Sequence, residues 1–136
     1  MGYQVEKLAA ENAMVGEGPV WDVESQSLYW IDIQGGKIWN YDPATGENKV
    51  LHDGYNVAGA TRNKQGGMAV GTWEGVQLWF SDDNYTWLHK GDVDGRPIKL
   101  NDVTVGPDGS LYGGSGHLDS CTLFRFKPDV TAEIID

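Results

Sequence analysis

Short apolar runs of four to eight residues recur along this chain, cut at regular intervals by turn formers, and that pattern predicts strands rather than helices. "SLYWIDI" from Ser27, "KIWNYD" from Lys37, "VQLWFSD" from Val76 and "TLFRFKPD" from Thr122 are the clearest of them. Between them lie "DPATG" at 42–46 and "PDG" at 107–109, strong hairpin formers in which Pro fixes φ and Gly accepts positive φ.

The strands are organised as a repeat. "EGPVWDVESQSLYWIDI" from Glu17, "AGATRNKQGGMAVGT" from Ala58 and "NDVTVGPDGSLYGGS" from Asn101 align, with starts 41 and 43 residues apart. Each contains a first strand, a turn and a second strand beginning at Leu28, Met68 or Leu111; third strands follow, and then fourth strands in "KVLHDG", "TWLHKG" and "TAEIID". Four short strands at a period slightly above 40 match a β-propeller blade. A β-sandwich also offers many short strands, but has no reason to repeat a four-strand unit in register. The expectation is an all-β segment over residues 1–136 with three blades, at about 15–54, 55–97 and 98–136. Trp30, Trp39, Trp79 and Trp87 fall within strands, where wide rings suit packing between stacked sheets.

Composition adds limits on partners. The 136 residues include 19 Gly, 6 Trp and 6 Tyr, a combination that suits strands and tight turns. Twenty acidic against ten basic residues give a net charge of −10, with no basic cluster. This argues against nucleic acid and anionic membranes as partners and favours cations. No apolar run approaches the roughly 20 residues of a membrane span, and the start lacks the pattern of a secretion signal. The single cysteine, Cys121, excludes an internal disulfide and fits a reducing, cytoplasmic setting.

The repeat singles out candidate chemistry. It sets Glu17, Ala58 and Asn101 at equivalent positions just before the innermost strands, so around a common axis Glu17 and Asn101 converge at one mouth. A carboxylate and an amide there supply oxygen donors of the type hard divalent cations take. Asp32, Thr72 and Ser115 align on the second strands; Asp32 either faces the channel or braces neighbouring backbone. Asp102 is expected on the opposite side of its strand from Asn101, as a turn brace or a weak catalytic candidate. His52 and His89, in "LHDG" and "LHKG", are explained by repeat heritage, and His117 by an exposed loop. Cys121 reads as an ordinary strand residue.

"GEGPVWD", "SLYWIDI", "IWNYDPATGE" and "KLNDVTVGPDGSLYGGS" together resemble the SMP-30/gluconolactonase/luciferin-regenerating-enzyme-like family, which includes regucalcin. The resemblance implies a six-bladed propeller that binds one divalent metal in its channel and hydrolyses sugar lactones. It implies Glu17 as a metal ligand and Asn101 as a substrate contact beside the metal, as ligand or in its surroundings. Ca²⁺ is the expected ion, with Zn²⁺, Mg²⁺ or Mn²⁺ as alternatives. Lys99 stands where the family has arginine, exchanging a planar fork of donors for a compact point charge that still suits a sugar hydroxyl or carboxylate. The family's remaining metal ligands and its catalytic aspartate belong to a second half. Half a ring is therefore expected here, completed by a second half or by a second copy in a homodimer. The competing reading is a non-catalytic half-propeller that binds a metal or sugar acid.

Overall fold

A computed structural model describes residues 2–9, 11–116 and 121–135. Among these there is no helix. The first antiparallel sheet contains β1 (Gly16–Asp22), β2 (Ser27–Asp32), β3 (Lys37–Asp42) and β4 (Glu47–Asp53), in that spatial order. The second contains β5 (Val57–Arg62), β6 (Met68–Thr72), β7 (Gly75–Ser81) and β8 (Asn84–Lys90), again in chain order. A small ribbon of β9 (Asp92–Val93) and β10 (Arg96–Pro97) precedes the third sheet, which contains β11 (Leu100–Val105), β12 (Leu111–Ser115), β13 (Leu123–Phe126) and β14 (Ala132–Ile134). These three four-stranded meanders are successive blades of a β-propeller.

The core lies between blades. Ile31, Ile33 and Ile38 of the first sheet meet Val57, Ala60, Met68, Val70 and Trp79 of the second. On its other face the second sheet offers Ala58, Ala69 and Val76 to Leu100, Val103, Leu111, Phe124 and Phe126 of the third. The middle blade is thus buried on both faces, and every residue of β6 is buried. Blade one is covered on one face only. Because Ile31 pairs with Ile38 on the covered face, the adjacent pair, Trp30 and Trp39, lies on the open one. Their rings stack there at 5.2 Å, with an interplanar angle of 5°.

Three polar residues at the ends of the second strands do the same work in each blade. Asp32 Oδ1 accepts from Val15 N and Gly35 N, at 2.9 and 3.0 Å, and its Oδ2 accepts from Met14 N at 2.9 Å. Thr72 Oγ1 accepts from Glu74 N and Gly75 N, and Ser115 Oγ accepts from Thr122 N. All three bind the turn or loop leading to the third strand. Asp32 is therefore the backbone brace of the two alternatives left open by its sequence position.

The histidines of the fourth strands also repeat. His52 Nε2 lies 3.2 Å from Tyr55 O and His89 Nε2 lies 3.0 Å from Asp92 O, each three residues ahead. His52, 2% exposed, additionally reaches Asp82 Oδ1 of the β7–β8 turn through Nδ1 at 2.5 Å and so ties blade one to blade two. His89 sets its ring 5.8 Å from Phe126 of blade three.

Candidate functional site

The innermost strands all carry a bulge near the aligned positions. In β5 the pairing steps from Val57 to Gly59, leaving Ala58 as the extra residue. In β11 it steps from Leu100 to Asp102, leaving Asn101. In β1 the shift falls between Glu17 and Val20. Gly18 there takes φ = 60°, a left-handed conformation that glycine adopts without the clash a Cβ brings. A bulge re-aims the side chains beside it. The two glycines flanking Glu17 thus belong to the start of an irregular innermost strand, with Gly18 at the bulge itself.

Glu17, Lys99 and Asn101 line one cavity of about 480 Å³, together with Asn56, Trp73 and Gly116. Glu17 comes from blade one and Lys99 and Asn101 from the entry to blade three; Glu17 and Asn101 are exposed and Lys99 is half-buried. Gly116 leaves room for Asn101: a Cβ at 116 would stand 3.0 Å from the Cβ of Asn101 and 3.3 Å from its Oδ1. The Lys99 ammonium sits 4.6 Å from the centre of the Trp73 ring, a cation–π contact.

The middle blade contributes differently from the repeat alignment. Ala58 is fully buried in the layer between blades two and three, so its innermost strand supplies no donor at that position. Instead Asn56 lines the cavity, with Nδ2 donating to Ile33 O at 2.9 Å. Trp73, from the β6–β7 turn, is the other contributor that sequence reasoning missed. The "GYNV" and "GTWEG" stretches flanking β5 and β6 carry the only signal, polar and aromatic residues at strand ends facing the mouth.

Asp102 stands apart from this cavity. Its Oδ1 accepts from Val103 N at 2.7 Å and packs against β5, where a Cβ on Gly59 would come within 2.9 Å of it. The carboxylate sits in the joint between β11 and β5. Cys121 is exposed and precedes β13 rather than lying in it, and His117 lies outside the described residues.

Glu17 is the cavity's one carboxylate among the described residues that line it. Its oxygens and the Asn101 amide oxygen are hard donors, and among the described residues no thiol or imidazole lines the space, a set that suits a cation such as Ca²⁺. That ion takes six to eight oxygens, so the chain supplies part of a coordination shell. Among the described residues no group of three or more His, Cys, Asp and Glu side chains is placed to hold a metal.

Known proteins resemble this chain in sequence and fold. A pentonolactonase of Haloferax volcanii is 28% identical over 134 residues, covering 97% of this chain and 45% of that protein. Regucalcin of Xenopus laevis is 28% identical over 114 residues, covering 82% of this chain and 38% of its own. Among solved structures, a calcium-binding protein, regucalcin, from Agrobacterium tumefaciens superposes with a TM-score of 0.80 at 16% identity, covering 94% of this chain and 45% of that one. A gluconolactonase from Xanthomonas campestris gives 0.76 at 19%, covering 91% and 48%. The chain thus spans about half the length of the relatives it matches. The profile of the SMP-30/Gluconolactonase/LRE-like region matches residues 15–135, and the chain belongs to that family.

Proposed function

We propose that this chain supplies one side of a metal-dependent sugar lactonase site, completed by a second propeller half or a second copy of the chain. The observation that carries the reading is the convergence of Glu17, Lys99 and Asn101, from two different blades, on one cavity. Lactonases among its relatives support the substrate class.

Glu17 holds the divalent ion through its carboxylate, with the Asn101 amide oxygen beside it. When bound, such an ion polarises the ester carbonyl and lowers the pKa of a neighbouring water. Lys99, steadied over Trp73, directs its ammonium to a hydroxyl of the sugar and orients the ring. Hydrolysis adds water across the acyl C–O bond: the hydroxide oxygen joins the carbonyl carbon, the ring oxygen leaves, and a proton passes to that oxygen. The water's proton needs an acceptor, and Glu17 is committed to the metal. The base is therefore a carboxylate of the completing half. The placement of Asp102 in the β5–β11 joint weighs against its serving as that base.

The competing reading, a binding half without turnover, is favoured by the single cavity carboxylate. One experiment separates them. Calcium titration by calorimetry is expected to show binding that Glu17→Gln weakens at least tenfold, about 1.4 kcal/mol. Gluconolactone hydrolysis by the same preparation is expected to fall with it. Metal binding that Glu17→Gln leaves unchanged overturns the assignment of the ligand, and metal binding without turnover leaves the binding half.

A further inference from the structure

A second cavity, of about 290 Å³, opens beside the first. Asn56 and Trp73 line both, so the two form one groove leading away from the mouth. The described residues bordering the second cavity belong to β6, β7, β8, the β6–β7 turn or the segment just before β5, all within the middle blade and its approach.

Its composition is specific. Tyr55, Trp73, Tyr85 and Trp87 form aromatic walls, with Tyr85 edge-on to Trp87 at 6.4 Å and 87°. Gln77 also lines it, although only 1% of that residue is exposed. Tyr55 Oη donates to Gln77 Oε1 at 2.6 Å. Burial, reinforced by the nearby Asp82 charge, pushes the Tyr55 phenol up to about 12, so this donor persists across the physiological range. Oε1 is thus engaged by Tyr55, and Nε2 is the donor group of the Gln77 carboxamide.

The rim decides the charge of that ligand. Lys90 lies 4.6 Å over the Trp87 ring and 3.0 Å from Glu74 Oε2. The ammonium opposes a cation in the aromatic enclosure and the carboxylate opposes an anion. A neutral ring with hydroxyls fits: its C–H faces pack on the indoles, and its hydroxyls accept from Gln77 and exchange hydrogen bonds with the rim. The volume is near the lower end of ligand pockets, about 300 Å³, which suits one ring rather than a chain.

We propose that this groove is a saccharide subsite that binds the non-reacting pyranose ring of a glycosylated sugar lactone, with the lactone ring in the neighbouring cavity. The reacting end rests on the lactonase reading above; the subsite itself does not. The test uses a neutral, unreactive probe, methyl β-D-glucopyranoside, titrated into the full chain while the indole N–H signals are followed by NMR. Saturable shifts at Trp73 and Trp87 are expected, with Trp21, Trp30 and Trp39 unmoved. Trp87→Ala, at a half-buried position, is expected to weaken binding about fivefold to tenfold, as is Gln77→Leu. Glu17→Gln is expected to leave it unchanged. No saturation by about 100 mM, or equal shifts in Trp87→Ala, overturns the subsite. Lactone turnover without glucoside binding also rejects the subsite while the lactonase reading stands; glucoside binding without turnover does the reverse.

Discussion

Asp32 shows how one residue type at one place serves structure where the sequence leaves structure and chemistry equally open. It is 4% exposed and takes three backbone N–H groups that would otherwise be orphaned. Burial pushes its carboxyl up, but the N–H groups of Val15, Gly35 and Met14 and the Lys37 charge outweigh that, and the net shift is downward. Its folded pKa lies below the unfolded value. The ionised group therefore contributes stability that is fully present above the unfolded carboxylate range and is lost as pH falls through the folded pKa. Asp32→Ala is expected to cost about 3 kcal/mol in urea unfolding at neutral pH, through the unpaired donors. Asp32→Asn, which keeps one acceptor oxygen, is expected to cost less and to flatten the acid limb of the stability profile. Equal stability of wild type and Asp32→Ala would refute the brace. Glu17, exposed and one step from a bulge, has no such structural task, and that contrast is what separates a ligand candidate from a scaffold carboxylate.

At the scale of elements, the hairpins were the most legible part of the fold, because their chemistry is local. "PDG" at 107–109 forms its turn with Gly109 N donating to Gly106 O at 3.0 Å and φ = 78°. Ser110 N donates to Asp108 Oδ1 at 3.1 Å. The third blade repeats this turn at Pro128–Asp129–Val130–Thr131: Val130 N donates to Lys127 O at 2.9 Å and Thr131 N to Asp129 Oδ1 at 3.0 Å. Val130 has φ = 62° where the first turn has glycine. A β-branched residue in the left-handed region costs about 1–2 kcal/mol, and Val130 is 57% exposed, so little packing is lost with its side chain. Val130→Gly is expected to raise stability by about 0.5–1 kcal/mol after glycine's larger unfolded-state entropy is subtracted, read as a higher melting temperature. A lower melting temperature would mean that the side chain contributes more than its backbone strain costs. Other elements were less legible. The β9–β10 ribbon has strands of two residues, too short for an apolar pattern, and its signal was the Asp94–Gly95 pair, which takes φ = 51° and 77°. The bulges at Ala58 and Asn101 depend on pairing between strands, which periodicity along one strand does not report. For the same reason the repeat set Glu17 and Asn101 at one mouth and the family resemblance added Lys99, yet neither gave a sign that Asn56 and Trp73 join them.

The whole molecule is defined by two unlike faces. The middle blade is covered on both sides, whereas blade one leaves the stacked Trp30 and Trp39 on its open face. Trp30 Nε1 donates to Asn48 Oδ1 at 3.1 Å, but Trp39 Nε1 and Asn48 Nδ2 are buried with no acceptor among the described residues. Across the molecule, blade three turns Arg125 away from Phe124 and Phe126, over the Tyr112 ring at 5.9 Å and paired with Glu133 at 3.1 Å. The expectation for a second copy related by a two-fold axis is that the aromatic face of blade one meets the charged face of blade three. Light scattering of the purified chain, with and without added Ca²⁺, is then expected to give twice the 14.9 kDa chain mass. Val50, opposite Trp39 in the register and 42% exposed, provides the control. Val50→Asp buries a carboxylate in the joint and is expected to return the mass to that of one chain while the far-ultraviolet circular dichroism stays unchanged. Ca²⁺ is expected to strengthen the pair, because closing the ring brings two Glu17 to one axis and so completes more of a shell that a single chain leaves partial. A single-chain mass under all these conditions would exclude self-pairing.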